Sequence, residues 1–135
     1  MSADAPTAAT GRTVDRFLAG GFALVQPARG AHRCGSDAIL VAAMVPTGTA
    51  GHVVDLGAGP GAAGFSVAAR TGARVSLVDV DAQALGLAGE SLALPENAGF
   101  AARIALCLAD VAGPVSAFEA AGLAGGAGGH GIAEP

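Results

Sequence analysis

The chain has 135 residues, 52% of them apolar and 13% charged, with a mean hydropathy of +0.55 and a net charge of −4. A wholly disordered chain is excluded, and no apolar run reaches the roughly 18–20 residues of a membrane span, so no membrane partner is expected. All seven basic residues are Arg, and they form no run dense enough to argue nucleic-acid binding from electrostatics alone.

Residues 1–13 are small and polar, include Pro6, and are expected to form a mobile tail. They hold no apolar block, so they do not read as a signal peptide. Residues 22–26 (FALVQ) read as a short strand that Pro27 stops. After a loop, Ser36 or Asp37 is placed to cap a helix over 38–45, which Pro46 ends. Asp37 is open to either reading, helix cap or functional group.

Residues 52–56 (HVVDL) form a short β-branched run that enters a glycine cluster, Gly57-Ala58-Gly59-Pro60-Gly61. That pattern predicts a buried strand feeding a tight turn. A helix follows over 62–71, with Gly72 as its expected C-cap. Residues 74–80 (RVSLVDV) predict a second buried strand, and Asp81 the cap of a helix over 82–93, closed by Pro95. Residues 103–108 (RIALCL) predict a third strand, followed by Ala109-Asp110-Val111, and 115–121 a further helical turn or two. Residues 122–135 hold six glycines in fourteen positions and lose too much backbone entropy on ordering to form a regular element unaided. The expected division is thus a tail at 1–13, a domain at 14–121 and a glycine-rich tail at 122–135. Alternating strands and helices predict a parallel α/β sheet of Rossmann-like type, with the second strand beside the first and the third beyond it.

The chemistry concentrates at the carboxyl edge of that sheet. Gly57, Gly59 and Gly61 let the chain turn sharply and let a ligand approach the backbone with no Cβ in the way. The following helix offers N–H groups to a nucleotide-like ligand. Read from Gly59, the pattern is also GxGxxG (Gly59, Gly61, Gly64), so the glycines alone do not separate an NAD-type dinucleotide site from an S-adenosylmethionine site. Asp55 lies inside the strand, where dinucleotide folds usually stay apolar. A carboxylate there can tie down the loop and face a cation such as the amine of a methionine moiety. Asp79, at the end of the second strand, can accept from both hydroxyls of a ribose. Asp110 is a third acid on the same edge, able to accept from an adenine amine, with the Val111 N–H at the ring. Asp81 reads as a helix cap rather than a ligand contact.

His32, His52 and His130 share no metal spacing, and no metal site is expected. Cys34 and Cys107 form no CxxC pair, which argues against a disulfide framework and for a reducing cytoplasm. Cys107 reads as a small buried apolar residue.

VVDLGAGPG, VSLVDVD and LADV resemble the first three motifs of class I S-adenosylmethionine-dependent methyltransferases. Upstream, Leu24-Val25-Gln26-Pro27 and His32-Arg33-Cys34-Gly35-Ser36-Asp37-Ala38-Ile39-Leu40 are similar to a segment of the methyltransferase small domain group that includes the bacterial valine-tRNA adenine methyltransferases. The resemblance covers residues 15–121. It implies S-adenosylmethionine as cofactor and adenine in tRNA as the family substrate. It implies that Gly57, Gly59 and Gly61 pass under the methionine part, Asp55 supports that loop, Asp79 holds the ribose and Val80 lies against the adenine. Asp110 and Val111 would face the adenine edge, and Arg33, Gly35 and Asp37 would close over the methionine end. In that family a fourth strand ends in an Asn-Pro-Pro-aromatic motif whose Asn places the target amine. Residues 131–135 read GIAEP instead, so no residue is assigned a catalytic role and a truncated product is expected. A non-catalytic cofactor-binding fragment is therefore one alternative reading. The strand over 52–56 is then expected at a sheet edge, where it invites self-association.

Overall fold

A computed structural model describes residues 11–27, 36–114 and 116. Arg33 and Gly35, the segment 122–135 and all but one residue of the expected helical turn at 115–121 lie outside the described residues. The chain begins with an antiparallel hairpin, β1 (Arg12–Phe17) and β2 (Phe22–Pro27). The helix α1 (Ser36–Ala43) follows. Then come β3 (His52–Leu56), α2 (Ala62–Arg70), β4 (Arg74–Asp79), α3 (Ala82–Leu92) and β5 (Ile104–Leu108).

The last three strands make a parallel sheet in the order β3-β4-β5, with Val53 beside Val75 and Val75 beside Ile104. This is the expected α/β architecture and the expected strand order. Side chains alternate across β4. Val75 and Leu77 enter the main core with Phe65 of α2, Leu85 and Ala88 of α3, Ala42 of α1, and Phe22 and Leu24 of the hairpin. Val78 joins Val54, Cys107 and Ala109 in a second, smaller cluster.

The hairpin corrects the sequence reading. Its first strand begins at Arg12, inside the segment expected to be a tail. RTVDRF lacks the apolar alternation of a half-buried strand because its inward side is polar: Thr13 and Asp15 are buried, and Gln26 donates to Asp15 Oδ2 at 2.8 Å. Four rings then carry the hairpin into the core. Phe17 stacks on Phe22 at 5.0 Å, Phe22 lies 6.4 Å from Phe65, and Phe65 meets Phe100 edge-on at 6.1 Å.

Two further corrections concern helix ends. α1 already includes Ser36 and Asp37, so neither stands before it as a cap. α2 ends at Arg70 with an extended Thr71 as its C-cap, not on a left-handed Gly72. The Thr71 hydroxyl donates to Val67 O at 2.8 Å and accepts from Ala73 N at 3.1 Å, which closes the helix without a glycine turn. Arg70 and Arg103 tie the layers together. Arg70 donates to Ala42 O and Val45 O, and Arg103 to Ala73 O and Ala68 O. Each guanidinium thus sits on carbonyls near a helix C-terminus, where positive charge is favoured.

Candidate cofactor site

The turn after β3 is held by β4. Gly57 N and Ala58 N both donate to Val78 O, at 2.8 and 2.9 Å. Gly57, Gly59 and Gly61 have φ of 73°, 57° and 105°, a left-handed backbone in which other residues are strained. A Cβ at Gly57 or Gly59 would meet nothing within 4 Å, so these two leave open space above the backbone. Gly61 is different: a Cβ there would lie 2.8 Å from Phe65 Cδ1, so its third glycine role is packing.

Two carboxylates fix the loop. Asp55 Oδ2 accepts from Gly64 N at 2.9 Å and so anchors the first turn of α2. Asp79 Oδ2 accepts from Gly59 N at 2.8 Å, and its Oδ1 accepts from Asp81 N at 2.8 Å. A carboxylate has about four acceptor positions. Asp79 spends two on the backbone and keeps acceptor capacity for a ligand. Burial pushes the Asp55 carboxyl above its ordinary range. The Gly64 N–H opposes that rise, and the negative charge of Asp79 adds to it.

A cleft of about 250 Å³ opens beside this loop. Of the expected residues, Gly57, Gly59 and Asp79 line it. Asp55 and Gly61 brace the loop from beneath. Asp81 caps α3, as expected, accepting from Gln83 N at 2.9 Å and Ala84 N at 3.4 Å, and it lines the cleft as well. Val80 and Val111 follow β4 and β5 at 69% and 53% exposure, large apolar side chains left open at the carboxyl edge. Asp110 is exposed, and its Oδ1 accepts from Ala112 N at 2.9 Å, so part of its capacity goes to its own turn. Asp37 stands exposed in the first turn of α1 and is not among the described residues lining the cleft.

Pro60 of the glycine turn also lines the cleft, and Pro27, Gln83, Ala84 and Leu87, none of them expected as site residues from the sequence, complete the wall. Pro27 had a signal in the sequence, the Gln26-Pro27 pair, but it read as a strand stop. The other three lie on one side of α3, which the sequence shows only as a helix. The residues fit an adenosyl cofactor. The glycine turn leaves its backbone open, Asp79 beside it keeps acceptor capacity, and the exposed apolar side chains of Val80 and Val111 stand at the same edge of the sheet. Among the described residues, no three of His, Cys, Asp or Glu are grouped to hold a metal, and no helix is long and apolar enough to cross a membrane.

The sequence matches the methyltransferase small domain family over residues 33–117. It is also similar to the crystal structure of a predicted O-methyltransferase from Agrobacterium tumefaciens. Identity is 44% and the TM-score is 0.59, over 64% of this chain and 42% of that one. The chain thus spans less than half of that neighbour's length. No curated protein matches.

Proposed function

We propose that this chain, which belongs to the methyltransferase small domain family, binds S-adenosylmethionine in the cleft beside Gly57–Gly59. The observation that carries the reading is Asp79. Its carboxylate is aimed by two backbone N–H groups, lines the cleft, and retains acceptor positions for a ribose diol. Gly57 and Gly59 would pass under the methionine part, with Asp55 holding α2 against the loop. Val80 and Val111 would flank the adenine, with Asp110 at its edge. Arg33, Gly35 and Asp37 would close over the methionine end. The cofactor supplies an electrophilic methyl group on a sulfonium. The chain's own residues hold and orient it. Equilibrium dialysis with tritiated S-adenosylmethionine tests the binding, and no retention at saturating label overturns it.

For the whole protein we propose methyl transfer to adenine in tRNA, in the cytoplasm. The support is the upstream segment, Gln26-Pro27 and Asp37-Ala38-Ile39-Leu40, read with the glycine turn. Placement of the target amine by an Asn-Pro-Pro-aromatic motif, of which the 135 residues hold no copy, belongs to the same proposal. A second reading is an oxygen acceptor, favoured by the description of the 44%-identical neighbour. Counting tritium in RNA against tritium in small hydroxylated acceptors separates them. Label in the hydroxylated acceptors alone overturns the RNA reading.

A further inference from the structure

We propose that Asn97 and Ser91 are positioning residues for the cofactor, holding the hairpin where Pro27 closes one wall of the cleft. The inference rests on reading that cleft as an S-adenosylmethionine site. β2 pairs with β1 on one side, and no strand lies on its other side among the described residues. Yet Ala23 and Val25 are buried there, so their backbone groups need partners.

Asn97 supplies what a neighbouring strand would. Its Oδ1 accepts from Ala23 N at 3.0 Å, and its Nδ2 donates to Ala23 O at 2.7 Å. The same Nδ2 donates to Ser91 O at 2.7 Å, which binds the clasp to the end of α3. Ser91 Oγ accepts from Val25 N at 2.8 Å and donates to Leu87 O at 3.0 Å. Asn97 and Ser91 are both fully buried. One amide and one hydroxyl therefore satisfy a strand edge that water does not reach.

The phase of β2 carries the argument into the cleft. N–H groups alternate sides along a strand, so positions 23, 25 and 27 share the side facing α3. The first two are clasped. At the third stands Pro27, which has no N–H to satisfy. There the strand leaves the clasp and becomes cleft wall, opposite Gln83 and Ala84. Leu87 belongs to both, since its carbonyl holds Ser91 and its side lines the cleft. A ligand resting against Pro27 then favours the docked hairpin, and the docked hairpin raises ligand affinity by the same factor.

Amide hydrogen exchange on the 135-residue chain, with and without adenosylhomocysteine, tests this. Saturating ligand is expected to slow exchange at Ala23 and Val25 by about tenfold or more. Ser91→Ala is expected to raise the dissociation constant about five- to tenfold. A purely structural role would slow Ala23 and Val25 no more than ligand slows the buried β4 amides of Val75 and Leu77, which exchange with the fold as a whole, and that result overturns the proposal whatever Ser91→Ala does. If Ser91→Ala fails to fold, the wild-type exchange alone decides. If it folds and binds as the wild type does, the proposal is overturned as well. No heat from adenosylhomocysteine with the wild type would instead overturn the cofactor reading itself, and this inference with it.

Discussion

Asp79 has one carboxylate and three neighbours competing for it. Two are backbone N–H groups already in place, at Gly59 and Asp81. The third is the proposed ribose. Hydrogen bonds to a charged group are worth about 1.5–3 kcal/mol each, so Asp79→Ala should weaken adenosylhomocysteine binding at least about tenfold. An unchanged dissociation constant would leave Asp79 as a brace for the loop and nothing more. Asp55 makes a different prediction. Its pKa is raised on folding, chiefly by burial. In the window between its unfolded and folded values the native state binds more protons than the unfolded state. Its contribution to stability therefore falls as pH rises through that window, and the penalty is complete above it. Asp55→Asn keeps an oxygen for the Gly64 N–H and removes the buried charge. It should raise the melting temperature at neutral pH and leave it little changed in acid, so that the gain over the wild type grows as pH rises through that window, read by thermal melts from acid to neutral pH. A lower melting temperature at neutral pH would contradict the assignment.

At the scale of elements, α2 packs on the sheet through a glycine. A Cβ at Gly64 would fall 2.2 Å from Leu77 Cδ2, 3.1 Å from Asp55 Oδ2 and 3.2 Å from Val75 Cγ1. Leu77 is fully buried and has nowhere to move. Gly64→Ala should cost about 1–3 kcal/mol by overpacking. Gly72, which has nothing within 4 Å and an ordinary φ, is the control. Gly72→Ala should be neutral or stabilising by up to about 1 kcal/mol. Denaturant melts of the two variants check the contrast, and equal losses would contradict it. The same elements show what a sequence displays. β3, β4 and β5 were legible because strands of a parallel sheet are continuous apolar runs, and the glycine turn because only glycine tolerates its φ. Of the three strands, though, only β4 is buried through its middle, while β3 and, beyond Ile104, β5 stay half-buried to exposed. Asp81 was legible as a cap because capping is local chemistry. β1 was not, because Thr13 and Asp15 face inward and are satisfied by hydrogen bonds to each other and to Gln26 of β2, so the strand shows polar residues where a core strand would show apolar ones. The α3 side of the cleft was not legible either. Gln83 and Leu87 become cleft residues only when the hairpin is laid against them, a contact set by Asn97 some seventy positions from β2.

At the scale of the molecule, the described sheet has two edges, and one of them is β3. β3 pairs with β4 alone among the described strands, and its Val53 and Val54 are only half-buried. Apolar strand edges pair with other chains unless something covers them. The 135-residue chain studied alone should therefore be marginally stable or self-associate. Size-exclusion chromatography with light scattering and a thermal melt check this, and a monodisperse monomer with a cooperative transition above about 50 °C would contradict it. The central claim is narrower than any of these: the cleft beside Gly57 and Gly59 is built for an adenosyl-methionine ligand and not for a dinucleotide. The overlapping GxGxxG keeps that contrast sharp, because Gly64 does pack helix against strand as the last glycine of a dinucleotide motif would. Titration calorimetry with adenosylhomocysteine and NAD in parallel measures it directly. Saturable one-to-one binding of adenosylhomocysteine with no heat from NAD is the predicted result. Binding of NAD alone would contradict the account.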